Sequence, residues 1–239
     1  MAGSIATQSV SQLGGPVSVL ARQKRDHVVL NGLFEELGRT TGDAQDEVLH
    51  RMYRLVFPHA FAEESVLWPV IRRALPDGDA LTLDVEREHQ EVNELVTRLE
   101  GVGHDDPERT ALLERLVAVL REDVRDEEDV LFPRLQTVVD RRRMRRLGIA
   151  WEVVRRVAPT RAPPVVARRP PGNVLAALPL SVVDRLRDVS DVAARRGPAR
   201  VRPAMRTAGR GLARVAHRIE HLSVLRIGED PSTRSDGPA

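Results

Sequence analysis

From residue 17 to residue 139, apolar residues recur every three or four positions, the period of a helix with one buried face. The pattern predicts four amphipathic helices: Val17 to Leu37, Asp46 to Leu75, Leu81 to Leu99, and one from Asp106-Pro107 to Val139. The breaks are short and rich in turn residues. Gly14, Gly15 and Pro16 precede the first helix, Pro76-Asp77-Gly78 follows the second, and Gly101 and Gly103 close the third. Asp106 and Pro107 read as an N-cap acid and a first-turn proline. Short connections between long helices imply an all-α, up-down-up-down four-helix bundle.

The seams repeat. In the second helix, Leu49, Met52, Val56, His59, Glu63 and Val66 are spaced alternately three and four apart. In the fourth, Leu113, Leu116, Leu120, Asp123, Glu127 and Val130 follow the same spacing. Partway along each seam, apolar residues give way to acids and His. Every pair is offset by 64 residues, and the offset continues through Glu64/Glu128, Leu67/Leu131, Trp68/Phe132 and Pro69/Pro133. The first and third helices match at an offset of 62, through His27/His89, Leu30/Val92, Asn31/Asn93, Phe34/Val96 and Leu37/Leu99. The bundle therefore reads as two helical hairpins of one pattern about a pseudo-twofold axis. Pro69 and Pro133 are expected to kink or end the stretches that carry them. Trp68 and Phe132 are expected to cap one end of the seam.

Six of these inward positions carry metal-ligand chemistry: His27, His59, Glu63, His89, Asp123 and Glu127. His59/Glu63 and Asp123/Glu127 lie four apart, so each pair shares a helix face. Burying such carboxylates unpaired is severely unfavourable, and the inward stripes at this level hold no Arg or Lys. Cations are the simplest compensation, and carboxylate–imidazole donors suit iron, manganese or zinc. Glu63 and Glu127, at matching positions, are assigned as bridges between two ions. His27 and His59 would cap one ion, His89 and Asp123 the other, leaving open positions for water or a small molecule. Asn31 and Asn93 are read as supporting or packing groups, and Glu64 and Glu128, one residue off the seam, as solvated or supporting.

The stretches "RDHVVLNGLFEEL", "HAFAEESVLWP", "EREHQEVNEL" and "DVRDEEDVLFP" resemble the hemerythrin/HHE cation-binding family over residues 17–139. The resemblance implies a hemerythrin-like four-helix bundle with a non-haem di-iron centre. Members bind O2 or NO, sense oxygen or redox state, or handle iron and peroxide. It implies ligand roles for His27, His59, Glu63, His89 and Glu127. Asp123 stands where the family has His, and Asn93 where oxygen carriers have a second His. The extra carboxylate makes the site harder and more anionic, which favours a carboxylate-rich di-iron or manganese centre over reversible O2 carriage. The expected role is binding or sensing O2, NO or peroxide, or buffering iron. A peroxide-consuming di-metal oxidase and a metal-free helical adaptor are the alternatives. No substrate pocket is legible, so a binding protein is read ahead of an enzyme.

Composition changes the picture in two ways. There is no Cys, which excludes disulfides, thiolate metal sites and Cys nucleophiles. Charge is divided along the chain. Residues 1–139 hold 15 Lys+Arg against 26 Asp+Glu, a balance of −11, while residues 140–239 hold 22 against 9, a balance of +13. The expected organisation is a flexible N-terminus (1–16), the bundle (17–139), a basic, Pro-interrupted helical C-terminal extension (140–228) and a disordered tail (229–239). Within the extension, helix is expected on from "RRRMRR" through Trp151, over Leu180 to Ala194, and over Arg210 to Arg226. The extension is expected to fold back on the acidic bundle or make a homodimer contact, ahead of docking on nucleic acid or an anionic membrane. No signal peptide or membrane span is legible, so a cytoplasmic protein is expected.

Overall fold

The computed structural model describes residues 3–163 and 165–234, and among them there is no β-strand. Helix α1 spans Val19–Leu37 and α2 spans Gly42–Ala62. A π-helical turn, Glu63–Leu67, joins α2 without a break to α3, Trp68–Ala74. Helix α4 spans Gly78–Gly101 and α5 spans Pro107–Asp126, and a second π turn, Glu127–Leu131, leads into α6, Phe132–Val138. Asp106 caps α5 by accepting from the Glu108 N–H, with Pro107 in the first turn, as its sequence dictates. The carboxylate of Asp77 instead takes both ends of the Arg134 guanidinium, which ties the α3–α4 turn to α6.

The core is divided. One apolar cluster gathers Leu67, Trp68, Ile71, Leu131, Phe132 and Leu135, and the other gathers Leu30, Phe34, Leu49, Met52, Val96, Leu116 and Leu120. Each such side chain contributes about 1.5–3 kcal/mol by leaving water. The six candidate ligands fall in the layer between the clusters. Tight apolar packing above and below is what fixes that polar layer.

The π turns correct the sequence reading. Pro69 and Pro133 neither end nor break their helices. A proline has no N–H for the carbonyl four residues back, and its ring crowds that carbonyl. The turn before it opens, so Trp68 N–H donates to Glu63 and Phe132 N–H to Glu127, five residues back in each case. The wider turn takes an extra residue and shifts the seam by one. Leu67 and Leu131 therefore face inward, while Val66 is only partly buried and Val130 is exposed.

Beyond the bundle, α7 spans Arg141–Val157, α8 spans Gly172–Arg196 and α9 spans Arg202–Glu220. Helix α7 lies hard against the start of α1. A Cβ on Gly148 would sit 2.0 Å from the Val17 carbonyl oxygen, so only glycine allows the approach. Arg22 and Glu152 pair at 2.7 Å across the same contact. Helices α8 and α9 form a hairpin with Leu180, Val183 and Ala216 between them and the strap. That hairpin and its Pro-rich strap fold back on the bundle. Arg161 reaches Glu100 of α4 as well as Asp188 and Asp191 of α8. Arg169 meets Glu86, and Arg196 pairs with Glu47.

Both expected flexible ends differ from expectation. Ile5 and Leu13 are buried in the first core cluster, so the N-terminal segment is part of the fold. At the other end, Pro231–Thr233 forms a short 3-10 turn with Thr233 buried, while residues 235–239 of the expected tail lie outside the described residues. No helix among the described residues is long and apolar enough to cross a membrane.

Candidate metal centre

The bundle brings the six candidate residues together. His27 comes from α1, His59 from the end of α2, His89 from α4 and Asp123 from the end of α5, while Glu63 and Glu127 open the two π turns. All six are buried. His27 Nε2 lies 3.2 Å from Glu127 Oε2, and His59 Nε2 lies 3.0 Å from Glu63 Oε1. His89 Nε2 lies 3.8 Å from Glu63 Oε2 and 3.5 Å from Asp123 Oδ1. Among the six, two sets offer donor atoms within 4.8 Å of one another: His27, His59 and Glu127, and Glu63, His89 and Glu127. Glu127 belongs to both. Asp123 stands outside both sets, against His89.

These contacts fit a cation shell. Both carboxylate oxygens of Glu63, both of Glu127 and Oδ1 of Asp123 are buried without a hydrogen-bond partner. Orphaned buried acceptors are costly, and one carboxylate after another aimed at the same space is what a cation relieves. Donors at right angles around an ion, each about 2.1 Å from it, stand about 3 Å apart, close to the Nε2–oxygen separations here.

A second layer orients the imidazoles. His27 Nδ1 meets Glu128 Oε1 at 2.9 Å, His89 Nδ1 meets Glu64 Oε1 at 3.0 Å, and His59 Nδ1 lies 3.4 Å from Asp26 Oδ2. Each ring thus has its Nδ1 held by an acid and its Nε2 turned to the centre, the arrangement that fixes a ligand's tautomer and direction. The π turns make this possible. Glu63 and Glu64 are adjacent yet both fully buried, one facing the centre and the other His89. Phe132 stacks on His27 at 6.4 Å and Trp68 on His89 at 6.3 Å, so both aromatics pack directly on ligand rings.

The extension supplies a third layer that spacing within the bundle did not reveal. Arg155 Nη1 lies 3.5 Å from Asp26 Oδ2, behind His59, and Arg168 Nη1 lies 3.9 Å from Glu64 Oε1, behind His89. Trp151 meets the His59 ring edge-on at 5.3 Å. The bundle's own stripes do lack cations at this level, and the extension brings them. Asp26 was also missed, although "RDH" recurs as "REH" at the offset of 62, placing an acid before each His. Asn93 is buried and donates to the His89 carbonyl at 2.6 Å, whereas Asn31, expected on the same stripe, is exposed. His104 Nε2 lies 2.8 Å from Asp46 Oδ2 at the bundle's far end, and Asp46 also pairs with Arg109.

Without a cation the site holds protons. Burial opposes charge on His27, but the carboxylates of Glu127 and Glu128 outweigh it and raise the imidazole to about 9. Burial likewise opposes charge on His59, and Glu63 and Asp26 raise it to about 10. His89 is held well above its usual range against burial, by Asp123 and Glu64. Glu127 is pushed up to about 8 by burial and by the carboxylates of Glu63 and Asp123. Glu88 occupies in the second hairpin the place of Asp26 in the first. Burial and the neighbouring Asp123 and Asp126 push it up to about 8 as well.

Two cavities flank the centre. One, of about 20 Å³, is lined by His27, His59, His89 and Asp123 on one side and by Leu30, Val56, Leu120 and other aliphatics on the other. A second, also of about 20 Å³, lies beyond His89 and is closed by Pro159, Pro163 and Arg168 of the extension. Each has room for one water-sized molecule.

The family model described as "Hemerythrin HHE cation binding domain" matches residues 18–135. The chain is 29% identical over 131 residues to a protein of Nostoc sp. named DNA nickase, covering 54% of this chain and 36% of that one. It is 23% identical over 134 residues to a hemerythrin-like protein of Schizosaccharomyces pombe, covering 56% of this chain and 66% of that one. The chain thus spans only about a third to two thirds of the relatives it resembles. No solved structure matches.

Proposed function

This chain belongs, through residues 18–135, to the hemerythrin HHE cation-binding family, and from that premise we propose that it binds a pair of iron ions that respond to O2, NO or peroxide. His27, His59, Glu63, His89 and Glu127 would hold the ions between them, with Glu63 reaching both His59 and His89. Asp123, against His89, would complete that side. Manganese suits the same hard donor set. Such ions, when bound, supply redox chemistry and open positions for a small ligand.

The observation that carries this reading is the small cavity directly over the imidazoles. Its size, with room for one water-sized molecule, suits a small inorganic ligand. Its aliphatic wall, Leu30, Leu55, Val56, Leu120 and Val124, keeps bulk water from the donors. Asp123 lines the cavity together with Asp26, His27, His59 and His89, and burial and the neighbouring Asp123 raise Glu88 to about 8.

Metal analysis with absorption spectra of the reduced and oxygenated forms tests the reading. About two irons per chain and a ligand-dependent spectrum are expected. Protein that takes up neither iron nor manganese after anaerobic reconstitution would rule it out. Peroxide turnover that vanishes in Glu63→Ala would promote the enzyme reading. For the extension, the ion pairs of Arg161, Arg169 and Arg196 with bundle acids support packing within the chain over docking on nucleic acid or lipid.

A further inference from the structure

Helix α8 is apolar on two faces, and one of them is uncovered. Its inner face buries Ala176, Ala177, Leu180, Val183 and Ala194. On the outer face Val174, Leu175, Leu178, Val182, Leu186, Val189 and Val192 are 42–67% exposed. At 3.6 residues per turn these seven fall in one arc roughly 120° wide. Scattered exposed Val or Leu residues are ordinary, but a continuous stripe along five turns is not, and a helix apolar all round is normally covered all round. The one charged residue inside the stripe is Arg185, and it is turned to the edge. Its Nη2 donates to the Arg156 carbonyl at 2.6 Å and its Nε to Ser181 Oγ at 3.1 Å. At that edge the end of α7 adds its own exposed row, Ile149, Val153 and Val157.

We propose that this face is the interface of a homodimer, with α8 packed antiparallel on α8 of a second copy about a twofold axis at Val182. The spacing of the stripe is self-complementary. A twofold interface must match every residue reciprocally with its partner. Centred on Val182, Leu178 faces the other copy's Leu186, and Leu175 faces its Val189. Both of these pairs are apolar, while Val174 and Val192, at the ends of the stripe, fall opposite Ser190 and Gly172. The charges agree with this arrangement. Residues 172–183 carry none, and the charged stretch from Asp184 to Asp191 lies along the partner's uncharged residues 173–180. The area also suffices. At roughly 80 Å² of uncovered surface for each half-exposed Val or Leu, the ten residues of α8 and α7 present about 800 Å², the share each partner gives to a standard interface. A bilayer is the weaker occupant, because a membrane-surface helix is framed by free Lys and Arg, whereas Arg185, the charged residue inside this stripe, is engaged by the Arg156 carbonyl and Ser181.

The test uses the full chain in sedimentation and light scattering at tens of micromolar, with helicity and metal content as folding controls. A dimer is expected for the unaltered chain. Leu178→Glu and Val182→Glu, both at exposed positions, are each expected to weaken it by at least about 100-fold while leaving the controls unchanged. The absence of native Cys makes cross-linking clean. Val182→Cys is expected to form a disulfide-linked dimer with itself, and Leu178→Cys to cross-link with Leu186→Cys more readily than with itself. A monomeric native chain, a dimer indifferent to Leu178→Glu, or a monomer that floats with vesicles of anionic phospholipid would overturn the proposal. Preferential self-linkage of Leu178→Cys would overturn the antiparallel register.

Discussion

Glu64 sits between His89 Nδ1 and Arg168, with almost no contact with solvent. Burial pushes this carboxyl up, and the guanidinium of Arg168 pulls against it. Remove Arg168 and the buried acid loses its compensating charge, takes up a proton and ceases to fix the imidazole. Arg168→Ala is therefore expected to weaken metal binding by roughly 10–100-fold, measured by chelator competition, with Arg168→Lys restoring part of the loss. Arg155→Ala should act in the same direction through Asp26 and His59. The protonation of the centre gives a pH dependence whose sign follows from the raised values. His27 and His59, raised to about 9 and about 10, stabilise the metal-free fold fully below about 6.5 and lose that contribution as pH rises through those values. Glu127, raised to about 8, changes in the same direction, its contribution complete below about 4.5 and lost as pH rises through 8. The Tm of the metal-free protein should thus fall by several degrees between pH 6.5 and pH 10. Metal binding should strengthen over the same range, because protons must leave the donors first.

At the scale of elements, the two π turns separate what the sequence disclosed from what it hid. The four helices and the divided seam were legible because burial and helical period are local properties, and the structure gathers five of the six candidate residues, with Asp123 beside His89. Val66 and Val130 were misplaced because the period was assumed constant through Pro69 and Pro133. The prolines were visible at their offset of 64, but their effect depends on whether the helix continues, and the apolar contacts of Trp68, Ile71, Phe132 and Leu135 carry it on. Pro69→Ala separates the two effects. Alanine is favoured over proline inside a helix by about 3 kcal/mol, so the metal-free protein should not lose stability. The restored N–H can close an α turn onto Ser65, rotating Glu64 away from His89. Metal affinity should fall while the apo Tm holds or rises. Arg155, Arg168 and Trp151 were not legible as site residues, since the divided charge implies that the extension returns to the bundle but nothing local says where it lands. Gly148 sets that return. Gly148→Ala should displace α7 from the Val17 backbone and lower Tm, at a cost of about 1–3 kcal/mol typical of overpacking.

Over the whole molecule, the opposed charges of the two halves meet at specific places. Arg161 is the clearest, a buried guanidinium shared by Glu100 of the bundle and by Asp188 and Asp191 of α8. The Thr160 and Arg161 amides both donate to Asp184, so the strap is held at this point by backbone as well as side chain. This is where the hairpin is fastened beside the cavity next to His89, which Arg161 also lines. Arg161→Ala would remove the cation that Glu100, Asp188 and Asp191 share, leaving Arg187 beside Glu100. The expected loss is roughly 2–4 kcal/mol, located in the docking of the extension and not in the bundle. Hydrogen exchange can tell the two apart. Amides of α8 and α9 should exchange faster in Arg161→Ala while those of α1, α4 and α5 keep their protection. If protection fell evenly across all helices, the extension would be an inseparable part of one cooperative unit. Selective loosening would instead open the cavity beside His89 and draw Arg168 away from Glu64, so the same variant should bind small ligands faster while losing some metal affinity.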